Sequence, residues 1–134
     1  MKAVEMRKVV PIPEGVSVEI VDKRVTVSGP LGTLSRDFSD APVHIEKKDG
    51  AVEVVVWWPR KREAAMLGTV ASHIKNMITG VTQGYTYKMK MVYAHFPMSV
   101  KVEGDRVLIE NFGGERAPRV AKVMPGVKVV VKGE

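Results

Sequence analysis

The fold is decided by a stretch of sequence that occurs twice. The first copy reads Val16-Ser17-Val18-Glu19-Ile20, then Arg24-Val25-Thr26-Val27-Ser28, then the turn Gly29-Pro30-Leu31-Gly32. Beginning 82 positions later, Val100-Lys101-Val102 leads into Arg106-Val107-Leu108-Ile109-Glu110 and a Gly113-Gly114 turn. Similarity at a constant offset is typical of a duplicated structural unit. We therefore expect two copies of one small domain, at residues 1–82 and 83–134.

The spacing of apolar residues predicts the strands of both copies. Alternating apolar and polar residues are typical of a strand with one buried face. A hairpin is expected around Asp49-Gly50, because this dipeptide between alternating β-formers favours a tight turn. The predicted strands of the first copy are residues 16–20, 25–28, 33–38, 43–47 and 52–57. Those of the second copy are residues 85–93, 100–102, 107–109, 116–124 and 127–131.

One helix is predicted, over about residues 60–79. After Pro59 the apolar residues recur at helical spacing, as Ala64, Leu67, Ala71, Ile74 and Ile78. Gly80 follows, where a glycine often caps a helix. No counterpart of this helix occurs before residue 134, so we expect the second copy to consist of strands without a covering helix. The fold class is α+β, a duplicated small domain of antiparallel or mixed β-sheet packed with one α-helix, with the second copy incomplete.

Composition argues against several classes of function. The 134 residues contain no cysteine, which excludes a disulfide framework and a thiolate metal site. The three histidines are scattered, and no motif of a serine nucleophile or a phosphate-binding loop is present. No apolar run has the length of a membrane span, and the start has no secretory pattern. We expect a cytoplasmic protein that is not an enzyme and has no metal, cofactor, small-molecule substrate or membrane partner.

Charge points instead to a polyanionic partner. The formal net charge is +6 and the isoelectric point is near 9.7. Residues 83–134 hold 9 Lys and Arg against 5 Asp and Glu, whereas residues 1–82 hold 12 against 10. The excess of positive charge is therefore concentrated in the second copy.

Three groups of basic residues are candidates for binding RNA phosphates: Arg60-Lys61-Arg62, then Lys88 with Lys90, and in the second copy Arg116, Arg119, Lys122 and Lys128. Cations in the first turn of a helix interact unfavourably with the helix dipole. A phosphate bound at this end would explain Arg60-Lys61-Arg62, because it would neutralise these charges. The alternative is that the three side chains are exposed to solvent and the unfavourable interaction is tolerated. Lys88 and Lys90 alternate with Tyr85, Tyr87 and Met89, which places the lysines and the tyrosines on opposite faces if this segment is a strand. We expect the tyrosines to pack, with base stacking as the alternative, and expect Trp57 and Trp58 to pack as well. The complete set of candidate RNA-binding residues is Arg60, Lys61, Arg62, His73, Lys75, Lys88, Lys90, Arg116, Arg119 and Lys122.

The most specific motif of the chain is the stretch 72–97, which ends in Tyr93-Ala94-His95-Phe96-Pro97. Together with residues 12–16, 25–32, 36–38 and 110–115, it resembles the large-subunit ribosomal protein six family, in its archaeal and eukaryotic branch. Gly113 stands where the family usually has a larger apolar residue.

The resemblance implies a structural role in the large ribosomal subunit, without catalysis. It implies binding to large-subunit rRNA near the sarcin–ricin loop and the base of the factor-binding stalk, with ribosomal proteins as neighbours. It also implies a second helix and a basic C-terminal tail, for which residues 1–134 offer no counterpart. Two alternatives are a stand-alone RNA-binding module and a protein–protein adaptor, which co-sedimentation with the large subunit and the salt dependence of binding would distinguish.

Overall fold

Two units make up the chain in the computed structural model, which describes residues 4–133. The first unit reaches Thr86 and the second begins at Tyr87. The first contains α1 (Lys61–Thr82) and six strands: β1 (Glu5–Pro11), β2 (Ser17–Val21), β3 (Arg24–Gly29), β4 (Gly32–Asp37), β5 (His44–Lys48) and β6 (Ala51–Trp57). The second contains β7 (Ser99–Glu103), β8 (Arg106–Glu110), a 3₁₀ turn at Phe112–Gly114 and β9 (Arg119–Lys122). A division between copies after residue 82 stays a prediction.

The first unit has its core between α1 and two small sheets. The sheets have the strand orders β1-β6-β5 and β2-β3-β4, and every pair of neighbouring strands is antiparallel. The predicted alternation is confirmed, because Val25 and Val27 of β3 and Val52 and Val54 of β6 are fully buried. The predicted apolar face of the helix is confirmed as well. Its buried residues are Leu67, Val70, Ala71, Ile74, Met77, Ile78 and Val81.

The predicted hairpin is confirmed, but the predicted end of the helix is wrong. Asp49 and Gly50 both have positive φ, at 49° and 74°, and join β5 to β6. Gly80 lies inside α1, which continues to Thr82. Gly84, with φ 75°, takes the capping place, and its N–H donates to Thr79 O at 3.0 Å. The apolar face extends to Val81, so packing continues the helix past Gly80.

Strand β1 was not predicted from the sequence. It pairs with β6 over its whole length, from Glu5 opposite Trp57 to Pro11 opposite Ala51. Its residue Val10 is buried, but Lys8 is exposed and Met6 only half-buried. An edge strand with so little buried surface lacks the alternation by which strands are recognised.

The second unit repeats the pairing of β2 with β3 in the same register. Every β2–β3 pair, from Ser17↔Ser28 to Val21↔Arg24, has its counterpart 82 positions later in the β7–β8 pairs from Ser99↔Glu110 to Glu103↔Arg106. The hydrogen bond from Phe38 N to Lys23 O, at 2.8 Å, recurs from Val123 N to Asp105 O at 2.7 Å. The duplication expected from the sequence is therefore present in the backbone pairing.

Three predicted strands of the second copy differ from the structure. Residues 85–93 and 127–131 form no strand, and the segment 116–124 pairs only over Arg119–Lys122. In the described part of this unit the sheet has three strands and no α-helix, and no residue is fully buried. Alternation gives a segment the potential to pair, but these segments find no neighbouring ladder in this unit.

The close contact of Gly29 with α1 leads to a stability prediction. A Cβ added at Gly29 would lie 2.7 Å from Val81 Cγ2 and 2.8 Å from Val81 O, whereas one at Gly68, inside the helix, meets nothing within 4 Å. We expect Gly29→Ala to lower the free energy of unfolding by about 1–3 kcal/mol through overpacking. Gly68→Ala should raise it by roughly 0.5–1 kcal/mol, since alanine favours a helix more than glycine does.

Urea unfolding followed by circular dichroism measures both variants against the unchanged chain. Equal effects of the two substitutions would show that Gly29 does not hold the turn before β4 against the end of α1.

Candidate nucleic-acid interface

The start of α1 presents three consecutive basic side chains. Arg60 is the N-cap residue, with φ −86° and ψ 177°, and no side-chain hydrogen bond caps this end of the helix within residues 4–133. Arg60, Lys61 and Arg62 are all exposed. The free N–H groups of a first turn and these cations together form an electropositive surface.

Glu63 binds one of the three cations. Arg60 Nε donates to Glu63 Oε1 at 3.0 Å, and the side chain of Arg60 is 79% exposed while that of Glu63 is only 16% exposed. This hydrogen bond, with a smaller contribution from a backbone N–H, holds the pKa of Glu63 below its usual value. Lys61 and Arg62 form no ion pair with the described residues, so they are the two charges that remain available.

His73 and Lys75 do not join this cluster. Lys75 lies 13 residues beyond Arg62, which is about 20 Å along a helix. Lys75 is exposed, whereas His73 is half-buried, with its ring centroid 6.3 Å from that of Phe38. His73 therefore has a packing contact that the sequence did not predict.

Trp57 and Trp58 do not pack in the core, contrary to our expectation. They are 53% and 69% exposed. Trp57 lies on the outer face of its sheet, with its ring centroid 5.6 Å from that of His44. Alternation after the buried residues Val52, Val54 and Val56 would place Trp58 on the core face of the sheet. Its φ of 52° instead turns the chain out of the strand.

Lys88 and Lys90 lie in an irregular segment. Both are exposed, as are Tyr87 and Met89 between them. Because residues 87–93 form no strand, the expected separation of lysines and aromatic residues onto two faces has no backbone basis here.

The basic residues of the second unit have different surroundings. Arg119 donates to Glu115 Oε1 at 2.7 Å and Oε2 at 3.1 Å, and its guanidinium lies 4.4 Å from the centroid of the Phe112 ring. These hydrogen bonds lower the pKa of Glu115 and raise that of Arg119. Arg116 and Lys122 are exposed and form no ion pair within the described residues.

Arg106 is a basic residue that the sequence analysis missed. It pairs directly with Lys122 across β8 and β9, whereas the corresponding pair of the first unit is Arg24 with Asp37. Like charges opposite one another destabilise a sheet. Arg106 also lies opposite Glu103 on β7, so the three residues across the sheet carry one excess positive charge, which an anion beside Lys122 would balance. Only the strand register reveals the pair of Arg106 and Lys122, because 16 positions separate the two residues in the sequence.

Other kinds of site find little support. No group of three His, Cys, Asp or Glu side chains with the geometry of a metal site occurs among residues 4–133. In that same range, no helix is both long enough and apolar enough to cross a bilayer. The exposed cationic surfaces at the start of α1 and around β9 are the features that call for a partner.

The ion pair at the start of α1 leads to a pH prediction. We expect Arg60→Gln to raise the pKa of Glu63 toward its usual value. A carboxyl whose pKa is lower in the folded than in the unfolded state contributes stability that is present above the unfolded pKa and lost as pH falls through the folded pKa. The variant should therefore be less stable than the unchanged chain near pH 7, and this difference should disappear in acid.

Carboxyl NMR titration of Glu63 and thermal unfolding at several pH values measure the two effects. Arg119→Gln is the matched control, since it should shift the titration of Glu115 and leave that of Glu63 in place. An unchanged Glu63 titration in Arg60→Gln would contradict the proposed cause of the shift.

Comparison with known proteins identifies the family of the chain. Residues 12–84 match the sequence model of the family described as Ribosomal protein L6. The chain is 53% identical over 137 aligned residues to the large ribosomal subunit protein uL6 of Ignicoccus hospitalis, which covers 98% of this chain and 74% of that protein. Proteins of the same name from Methanobrevibacter smithii and Aeropyrum pernix are 52% and 50% identical, with 98% of this chain covered in both cases. The chain belongs to the ribosomal protein L6 family.

Proposed function

We propose that this chain is a structural constituent of the large subunit of the cytoplasmic ribosome. The observation that carries the proposal is the identity of about half the residues, across nearly the whole chain, with proteins named as large ribosomal subunit protein uL6. The role is structural, without catalysis. Its partners are large-subunit rRNA and neighbouring ribosomal proteins, and its place is near the sarcin–ricin loop and the base of the factor-binding stalk.

The charge distribution supports rRNA as the main partner. Lys61 and Arg62 form no ion pair within the described residues, and the dipole of α1 adds positive potential at the same end. In the second unit, Arg106 and Lys122 form a like-charged pair where the first unit has Arg24 opposite Asp37. Because Arg106 also lies opposite Glu103, this row across the second sheet carries a net charge of +1, where Val21, Arg24 and Asp37 in the first unit carry none. The proposed RNA-binding residues are Arg60, Lys61, Arg62, His73, Lys75, Lys88, Lys90, Arg106, Arg116, Arg119 and Lys122.

Within this set the residues divide by the partners that they already have. Arg60 and Arg119 bind carboxylates in the free chain, so contact with RNA would require them to share or exchange these hydrogen bonds. The other lysines and arginines of the set form no ion pair within the described residues and need no such exchange. We therefore assign the larger part of the phosphate binding to them.

The first prediction concerns assembly. The chain should co-sediment with the large ribosomal subunit when it is expressed in an archaeal host. Recovery only in low-mass fractions would contradict a structural role and favour a stand-alone RNA-binding module.

Binding to isolated rRNA should weaken at least tenfold between 50 and 200 mM salt, because the release of cations from the phosphates drives the binding. An affinity insensitive to salt would favour a protein–protein adaptor.

The second prediction concerns the start of α1. Lys61→Gln with Arg62→Gln should weaken rRNA binding and reduce the slope of log affinity against log salt by about 2, one for each lost phosphate contact. Stability should stay within about 0.5 kcal/mol of the unchanged chain or improve, because cations oppose the dipole there.

Lys47→Gln with Lys48→Gln is the matched control. It removes the same charge from two exposed positions at the end of β5, beside the Asp49-Gly50 turn. An equal loss of rRNA affinity in both double variants would show that net charge, and not the surface at the start of α1, determines binding.

A further inference from the structure

The side chain of Trp58 is not part of the hydrophobic core. It is 69% exposed, the largest exposed fraction of any aromatic residue in the first unit. Its backbone N–H donates to Val4 O at 2.8 Å and so extends the β1–β6 ladder by one bond. Any residue other than proline could supply that hydrogen bond. Neither the core nor the ladder therefore explains a tryptophan here.

The backbone at this position makes tryptophan a costly choice. A φ of 52° lies in the left-handed region, which asparagine and glycine adopt readily and bulky residues rarely do. The conformation turns the ring away from the core face of β6 and into solvent. A large apolar side chain that is exposed at a position suited to asparagine or glycine calls for a ligand with an apolar surface of its own.

The charges nearby specify the chemistry of that ligand. Lys61 lies three residues from Trp58 and Arg62 four, so their Cα atoms are at most about 11 and 14 Å away. Tryptophan and arginine are enriched at protein–protein interfaces but lysine is depleted there, so Lys61 is the residue that argues against a protein partner. An aromatic ring beside available cations is instead the combination that binds single-stranded nucleic acid, with bases on the ring and phosphates on the cations.

We propose that Trp58 stacks on an unpaired base of the RNA whose backbone Lys61 and Arg62 bind. The inference rests on the proposed function and deepens it, because it adds a base contact to what would otherwise be a surface for phosphates alone. Trp57 takes no part in this contact. Its ring stays on the outer face of the sheet, beside His44.

The two tryptophans provide matched variants for a fluorescence test. The chain contains no others, so Trp57→Phe leaves only the emission of Trp58 and Trp58→Phe leaves only that of Trp57. The probes are an archaeal large-subunit rRNA transcript and a fully paired RNA duplex. A stacked base quenches indole emission, so the transcript should quench Trp57→Phe strongly and Trp58→Phe little. The duplex, which offers no unpaired base, should bind through phosphates without quenching either variant.

Affinity provides an independent measurement. Trp58→Asn removes the ring and suits the left-handed backbone, so its thermal stability should equal or exceed that of the unchanged chain. Its affinity for the transcript should fall about 5- to 150-fold, the loss expected for one aromatic–base stack, with the salt slope unchanged. Val21→Asn is the control, because Val21 is also exposed, at 60%, and should not alter binding.

The outcomes separate this inference from the proposed function. Salt-dependent binding of the transcript with unchanged Trp58 emission, and with full affinity in Trp58→Asn, would overturn the stacking and leave the rRNA-binding role intact; Trp58 would then be a surface for a protein neighbour. Quenching of the Trp58 emission by the duplex to the same extent would also overturn it. Failure of the unchanged chain to bind the transcript would overturn both.

Discussion

Burial of one face of α1 against two sheets is the interaction on which the first unit depends. Leu67 and Ile74 are completely buried and Val70 almost so, opposite the buried valines of β3 and β6. Each such side chain contributes roughly 1.5–3 kcal/mol when it leaves water. Because this face is committed to the core, the polar residues of the helix and its basic first turn are left for a partner. The same packing draws the turn after β3 so close to Val81 that only glycine fits at position 29.

Much of this fold could be predicted from the sequence, because alternation and turn residues act locally. The strands β2, β3 and β6 follow from valine or isoleucine at every second position, β5 follows from the hairpin turn at Asp49-Gly50, and the duplicated stretch locates β7 and β8. The misses share a physical cause, since they depend on partners distant in sequence. β1 is a strand through its pairing with β6, although little of it is buried, and residues 87–93 alternate without forming a ladder. The helix passes Gly80 because packing of Val81 outweighs the weak local preference of glycine.

The basic residues of the candidate surface could be predicted from the sequence, but their ion pairs and their neighbours across the strands could not. The concentration of basic residues at the start of α1 and in the second copy is visible in the chain. Which of those cations are already bound is not, because a contact such as that of Arg119 with Phe112 and Glu115 depends on the conformation of the loop before β9. Arg106 and Lys122 become a pair only through the register of β8 and β9. The outward turn at Trp58 likewise reverses what alternation alone would indicate.

The repeated register has a consequence for how the two copies can diverge. The first two strands of the repeat correspond at an offset of 82, yet the third strand corresponds at 85, as Val25↔Arg36 and Val107↔Ala121 show. The connection before β9 is therefore three residues longer than the connection before β4, while the pairing within the ladder is the same. A slip of one residue within the ladder would exchange the two faces of the strand, whereas a longer loop changes neither face. Loop length and sheet register are thus separate variables in this fold, and one copy can acquire a new surface at its loop without any rearrangement of the sheet beneath it.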